Sequence, residues 1–214
     1  MKHLNIYMSL CVILVTMSMN SQNQSKEIRE VAEKGKADLV QILTETGDQF
    51  NFGIDANDVK NARIASPLNY YEMNFEKLLN YNDSRKMEDL LNAEIKKIIP
   101  LIKDTKLITT IGVAKQEKEG KFKVIELIDH QYHKALNQLP NSMKREEYRN
   151  LKIVYVPNLN VNIYHLNGKN YTSYKGRELS TPIDDARLLK MLQNDAKIFQ
   201  SKFGDQVKGN KLLN

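Results

Sequence analysis

The residues best placed to do chemistry form the run Glu126-Leu127-Ile128-Asp129-His130-Gln131-Tyr132-His133, in which two carboxylates precede two histidines three apart. At the start of a helix that spacing sets both imidazoles on one face, a geometry zinc can use. A metal centre needs a further ligand; His165 supplies the candidate from elsewhere in the chain, and Glu126 is the nearby carboxylate. The run lacks the glutamate between histidines that marks established zinc motifs. Its competing reading is Asp129 as a helix cap followed by partly exposed histidines.

Other reaction classes find less. Ser66, Ser142, Ser173 and Ser180 stand in no Gly-x-Ser-x-Gly elbow. The surface is so rich in acids that no carboxylate pair for glycoside hydrolysis singles itself out. Gly112, Gly120, Gly168 and Gly176 are isolated rather than clustered in a phosphate loop, so no nucleotide and no cofactor is expected. The one cysteine, Cys11, lies in the N-terminal apolar run, so a processed chain has neither a disulfide nor a thiolate ligand.

A different chemistry is suggested by Tyr155, Tyr164, Tyr171 and Tyr174, gathered around an asparagine-rich stretch from Asn158 to Asn170. Tyrosine and asparagine together suit a recognition surface, because the ring adds area at low entropic cost and the amide adapts its hydrogen bonds. The plainer alternative places these rings in the core or on a sheet face. The chain has no tryptophan, which weakens a sugar-stacking version of the surface.

The elements that must position these residues begin with an address. Lys2 and His3 precede an apolar run from Leu4 to Met19. That is the layout of a secretory signal peptide, and at about sixteen residues it is shorter than the roughly twenty a membrane-spanning helix needs. The sequence therefore predicts a signal over 1–21, cleavage near Gln22, a secreted or periplasmic location, and a mature chain that does not span the membrane. The net charge of +6 is spread through mixed runs such as Lys115-Gln116-Glu117-Lys118-Glu119, which describes a solvated surface and no nucleic-acid partner.

Periodicity supplies the rest. Ser25 caps a predicted helix whose stripe is Ile28, Val31, Ala32, Leu39, Ile42 and Leu43, with Gly35 on the same face for close packing and Gly47 as the stop. Leu68–Met73 reads as a strand, Asp83–Ile99 as a helix ended by Pro100, and Lys106–Lys115 with Lys121–Ile128 as a hairpin. A helix follows over Asp129–Leu139 and a shorter one from Ser142 to Arg149. Leu151–Val156, Val161–Leu166 and Lys169–Tyr174 are strands, the last two joined by the Asn167-Gly168 turn. Thr181 then caps a final helix with Pro182 at its first position, Asp184 and Asp185 near its positive end, the stripe Leu188, Leu189, Leu192, Phe199 and Phe203, and Gly204 as its close.

Phe52-Gly53-Ile54, then Asp58-Val59-Lys60-Asn61-Ala62, then Pro67 before Tyr70-Tyr71, resembles the opening of a loosely defined group of uncharacterised secreted bacterial α+β domains, over residues 45 to 140. The resemblance implies an extended segment, a strand hairpin and a short helix, and brings no activity with it.

The expected fold is α+β: an antiparallel sheet built from hairpins, packed by N-terminal and C-terminal helices. The expected organisation is a signal over 1–21, one domain over 22–207 with a subdivision near 140–150 left open, and a loose tail over 208–214. The expected function is a non-catalytic binding or interaction module of the cell envelope, with an envelope protein or a glycan as partner. The alternative is a metal-dependent envelope hydrolase using His130 and His133.

Overall fold

The computed structural model describes the backbone of residues 2–46 and 52–208, and the side chains of 22–46, 52–129 and 131–204. The chain enters through a long helix, α1 (Lys2–Thr46), and a short one, α2 (Ala56–Asn61), which Asp55 caps through the amides of Asn57 and Asp58. Two strands follow, β1 (Arg63–Ile64) and β2 (Leu68–Met73), then α3 (Phe75–Leu79) and a 3₁₀ turn at Met87–Leu90. The long strand β3 (Leu91–Lys103) leads into β4 (Lys106–Lys115) and β5 (Phe122–Glu126). After α4 (His130–Gln138) and α5 (Asn141–Arg145) come β6 (Lys152–Val156), β7 (Val161–Leu166), β8 (Lys169–Tyr171) and β9 (Ile183–Asp184), and α6 (Asp185–Lys208) ends the fold.

The strands make one nine-stranded sheet in the order β5-β4-β3-β2-β6-β7-β8-β9, with β1 pairing β3. Every pair is antiparallel except β2 with β6, so the α+β class read from the hairpins holds. Cross-strand partners point the same way, and the registers Tyr70↔Ile153 and Ile153↔Tyr164 put these three side chains on one face. There α4 and α5 cover them with Tyr132, Leu136, Leu139 and Met143. The neighbouring positions Ile99, Val154 and Ile163 face the other way. At one end α1 covers Ile99 with Ile28, Ala32 and Leu39, and at the other α6 covers Val154 and Ile163 with Leu188, Leu189 and Leu192. Each fully buried leucine of that kind contributes about 1.5–3 kcal/mol over an exposed one.

The N- and C-terminal helices thus share a face of the sheet, as expected, and the α4–α5 pair covers the opposite one. Gly35 lets α1 approach closely: a Cβ there would lie 2.8 Å from Val124 Cγ2. One turn and one register order the β7–β9 end of the sheet. Asn167 and Gly168, with φ of 49° and 73°, make the tight turn between β7 and β8, and β8 in turn pairs Asn170 with Ile183 of β9.

Several sequence expectations give way. The helix expected over Asp83–Ile99 is instead the 3₁₀ turn and the first two-thirds of β3. Ile98 to Ile102 are buried on both faces, which erases the alternation that announces a strand. Pro100 fits mid-strand because its carbonyl, and hence its missing N–H, faces the gap between β1 and β2, where Ala65 N donates to Pro100 O at 2.9 Å. Ser25 does not open a helix: α1 runs through it, since no proline interrupts Lys2–Thr46. The last helix starts at Asp185 rather than after Thr181, because buried Ile183 is held extended against β8. It also continues through Gly204. Phe199 of its stripe packs edge-on against Phe75, while Phe203 is exposed. The expected stop at Gly47 and the tail beyond Lys208 lie outside the described residues.

Candidate functional site

Strand β7 carries two kinds of polar residue on its two faces. Asn162 and Tyr164 point toward α4, while His165, next in sequence, points toward the 3₁₀ turn and the start of α6. Strand alternation alone imposes that division.

On the α4 face a cavity of about 280 Å³ opens between α4, the start of β7 and the loop after β8. Gln131 and Ala135 of α4 form one wall, Asn160, Asn162 and Tyr164 the second, and Thr172 to Tyr174 the third. The loop is fixed by Thr172, whose hydroxyl donates to Asn162 O at 2.7 Å and accepts from Tyr174 N at 3.2 Å. Tyr174 is tied down further by its hydroxyl, which donates to Asp195 of α6. Of two residues in its lining, the Asn162 Oδ1 and the Tyr164 hydroxyl are sealed from solvent and have no hydrogen-bond partner among the described residues. Tyr164 is only 2% exposed. Burial first, and the nearby Asp129 carboxylate second, push its phenol far above the ordinary tyrosine range, so the hydroxyl keeps its proton.

On the opposite face the polar groups around His165 are matched. His165, also 2% exposed, sets Nδ1 2.9 Å from Asn170 Oδ1 and Nε2 2.9 Å from Glu88 Oε1. The Asn170 amide donates through Nδ2 to Asp185 Oδ1 at 2.7 Å and to Ile183 O at 3.2 Å, which leaves Oδ1 to accept from the histidine. Lys152 Nζ reaches the same Glu88 oxygen at 2.8 Å. Burial opposes the charge on Glu88, but Lys152, its own backbone N–H and His165 outweigh it and hold the carboxyl at about 2. Glu88, His165 and Asp185 lie close enough together to invite a metal reading. Both imidazole nitrogens are nonetheless already engaged, Nδ1 with Asn170 and Nε2 with Glu88. The network ties β7, β8, the 3₁₀ turn and α6 together at the point where sequence reading had no link between them.

The residues expected to form a metal centre are not brought together. Glu126 lies on β5 and His165 on β7, five strand spacings apart, or roughly 24 Å. His133 is on α4, across the sheet from His165, and the side chain of His130 lies outside the described residues. Glu126 is engaged elsewhere, since both its oxygens accept from Lys96 Nζ at 2.8 Å, and that ammonium sits 5.0 Å from the centre of the Tyr70 ring. Gly112 makes room, as a Cβ there would lie 2.7 Å from Glu126 Oε2. Asp129 does cap α4, accepting from the amides of Gln131 and Tyr132.

The four tyrosines divide. Tyr164 and Tyr171 are core residues, so no open tyrosine surface forms. Tyr155 is half-buried with its hydroxyl on Asn160, and Tyr174 joins Tyr164 at the cavity. Sequence reading missed Asn162, although its spacing of two from Tyr164 on a predicted strand already placed both on one face. It also missed Glu88, Asn170 and Asp185, which lie in segments whose contacts depend on sheet order. A larger cavity of about 780 Å³ lies between α1 and β2, but Lys97 on its wall is already partnered by Asn69 and Glu94. No protein-family model, curated protein or solved structure matches the chain.

Proposed function

We propose that this chain is an exported, non-catalytic binding module of the cell envelope whose ligand seats in the Asn162–Tyr164 cavity. The observation that carries the reading is the framed cavity between α4, the start of β7 and the loop after β8, with polar residues Gln131, Asn160, Thr172 and Ser173 in its lining. The surrounding Tyr174 and Thr172 are held by their own bonds, so the walls are set before a ligand arrives.

Export rests on the N-terminal pattern of Lys2, His3 and the apolar run behind them. Among the described residues no helix is long and apolar enough to cross a membrane. A glycan or an envelope protein carrying a small polar group is the partner class that suits both the location and the cavity.

Two measurements test the reading. Mass spectrometry of the protein recovered outside the cytoplasm is expected to find an N-terminus near Gln22; recovery only in the cytoplasm, starting at Met1, refutes export. Thermal melts of the full chain against a library of small neutral polar compounds are expected to show a raised midpoint that Ala135→Phe, which fills the cavity, abolishes. A library that shifts nothing refutes the binding role.

A further inference from the structure

We infer that the larger cavity, on the α1 face of the sheet, takes an amphipathic anion: a singly charged head on an apolar body. The site is separate from the α4-face cavity and does not depend on the binding role proposed there.

Size comes first. The volume of about 780 Å³ lies well within the roughly 300–1,000 Å³ of sites that hold a small organic ligand. One wall is a turn of α1 that carries Lys26 and Arg29, another is the segment from Ile64 to Pro67, and Glu147 joins them from the turn after α5.

Charge sets the head group. Three of the four charged residues in the lining are basic, Lys26, Arg29 and Lys97 against Glu147. Glu147 is claimed by Arg63, and Lys97 is held by Asn69 and Glu94. Lys26 and Arg29 are different. Each meets an acid of its own helix only at 3.9 and 4.0 Å, with side chains 79% and 74% exposed, and pairs of that kind hold their partners weakly. Both cations therefore reach solvent at the cavity and can turn to an anion there. Glu30 and Glu33 remain close by, so the surplus suits one negative charge rather than several.

The rest of the lining sets the body. Ile64 is half-buried and Pro67 exposed, so apolar surface of both stays in water while the cavity is open. A bare inorganic anion leaves that surface wet, and an uncharged chain leaves the two cations unused. An anion with an apolar body covers the first and pairs with the second.

The Glu147 wall is held in a costly backbone shape. Glu147, Tyr148 and Asn150 have φ of 54°, 58° and 63°, a region that residues with side chains rarely adopt. Burial of Tyr148, with its hydroxyl on Leu136 O at 3.3 Å, fixes the turn. Strained backbone of this kind concentrates at ligand sites.

Calorimetric titration of the full chain tests this with four probes: octanoate, 1-octanol, octyltrimethylammonium and acetate. Two variants are titrated beside the parent, with melting curves to show that each folds. Lys26→Gln combined with Arg29→Gln removes the charge, and Ser66→Trp fills the cavity from an exposed position. The expected result is saturable binding of octanoate, weakened about tenfold or more in each variant. Octanol that binds as tightly as octanoate overturns the anionic head, and so does a preference for octyltrimethylammonium. Acetate that binds as tightly overturns the apolar body. No binding by any probe, or octanoate binding that neither variant weakens, overturns the inference. Ala135→Phe, on the other face, is expected to leave octanoate binding unchanged; its loss there puts the ligand in the α4-face cavity and overturns the inference as well.

Discussion

Tyr164 and His165 are adjacent, equally buried, and opposite in what surrounds them. Around His165 each ring nitrogen finds a partner in a network across four elements, whereas the Tyr164 hydroxyl and Asn162 Oδ1 are sealed from solvent without a partner among the described residues. The contrast separates two costs of buried polarity. A saturated network holds elements in register, and an unsaturated atom carries a desolvation cost that the packing around it must offset.

The sharpest way to break the comparison is His165→Leu. It leaves Asn170 and Asp185 facing an apolar side chain, while Glu88 keeps Lys152, and a loss of about 3 kcal/mol, the upper end for orphaned buried polar groups, is expected in urea unfolding. A loss below about 1 kcal/mol would mean that the network holds nothing in register. Next is Asn170→Ala, which strips His165 Nδ1 and Asp185 of one partner each; about 1–3 kcal/mol is expected by the same assay.

Acid gives a third and smaller effect. The Glu88 carboxyl ionises at about 2 in the fold against an ordinary value of 4.5, so it favours the folded state above pH 4.5 and loses that contribution as pH falls toward 2. Its side chain is 45% exposed, which screens the effect. Melts of Glu88→Gln are expected to fall less steeply than the parent's over that range; parallel curves would contradict the assignment. The smallest stability effect belongs to the other face. Tyr164→Phe removes a hydroxyl with no partner among the described residues, so stability without ligand is expected to stay the same or rise by up to about 1 kcal/mol, opposite in sign to Asn170→Ala.

The hairpins were legible because their chemistry is local. Asn167-Gly168 fixes its own turn, and Lys106–Lys115 agrees with β4 from end to end. β3 was not legible, because Leu91, Ile95, Ile98 and Ile99 recur at intervals of three and four and Pro100 follows as a ready helix stop. The start of α6 was hidden for a related reason: Thr181-Pro182 is a good helix opening, and only the pairing of Ile183 with Asn170 overrides it. Of the site, the tyrosine and asparagine enrichment was visible and the partition of β7 was not. Which face of the strand meets Glu88 and which meets α4 depends on sheet order, and sheet order has no signature in the residues of β7 themselves.

The most direct measurement is an NMR titration of the full chain with tyrosine rings labelled at Cζ, using the library of small neutral polar compounds and assigning Tyr164, which lines the cavity, by its loss in Tyr164→Phe. Tyr148 is the internal control, buried in the same core with its hydroxyl on Leu136 O. Ligand is expected to move the Tyr164 signal and leave Tyr148 in place. A Tyr164 signal that stays fixed with every compound, or moves no more than that of Tyr148, would contradict a ligand seated in the cavity that Tyr164 lines.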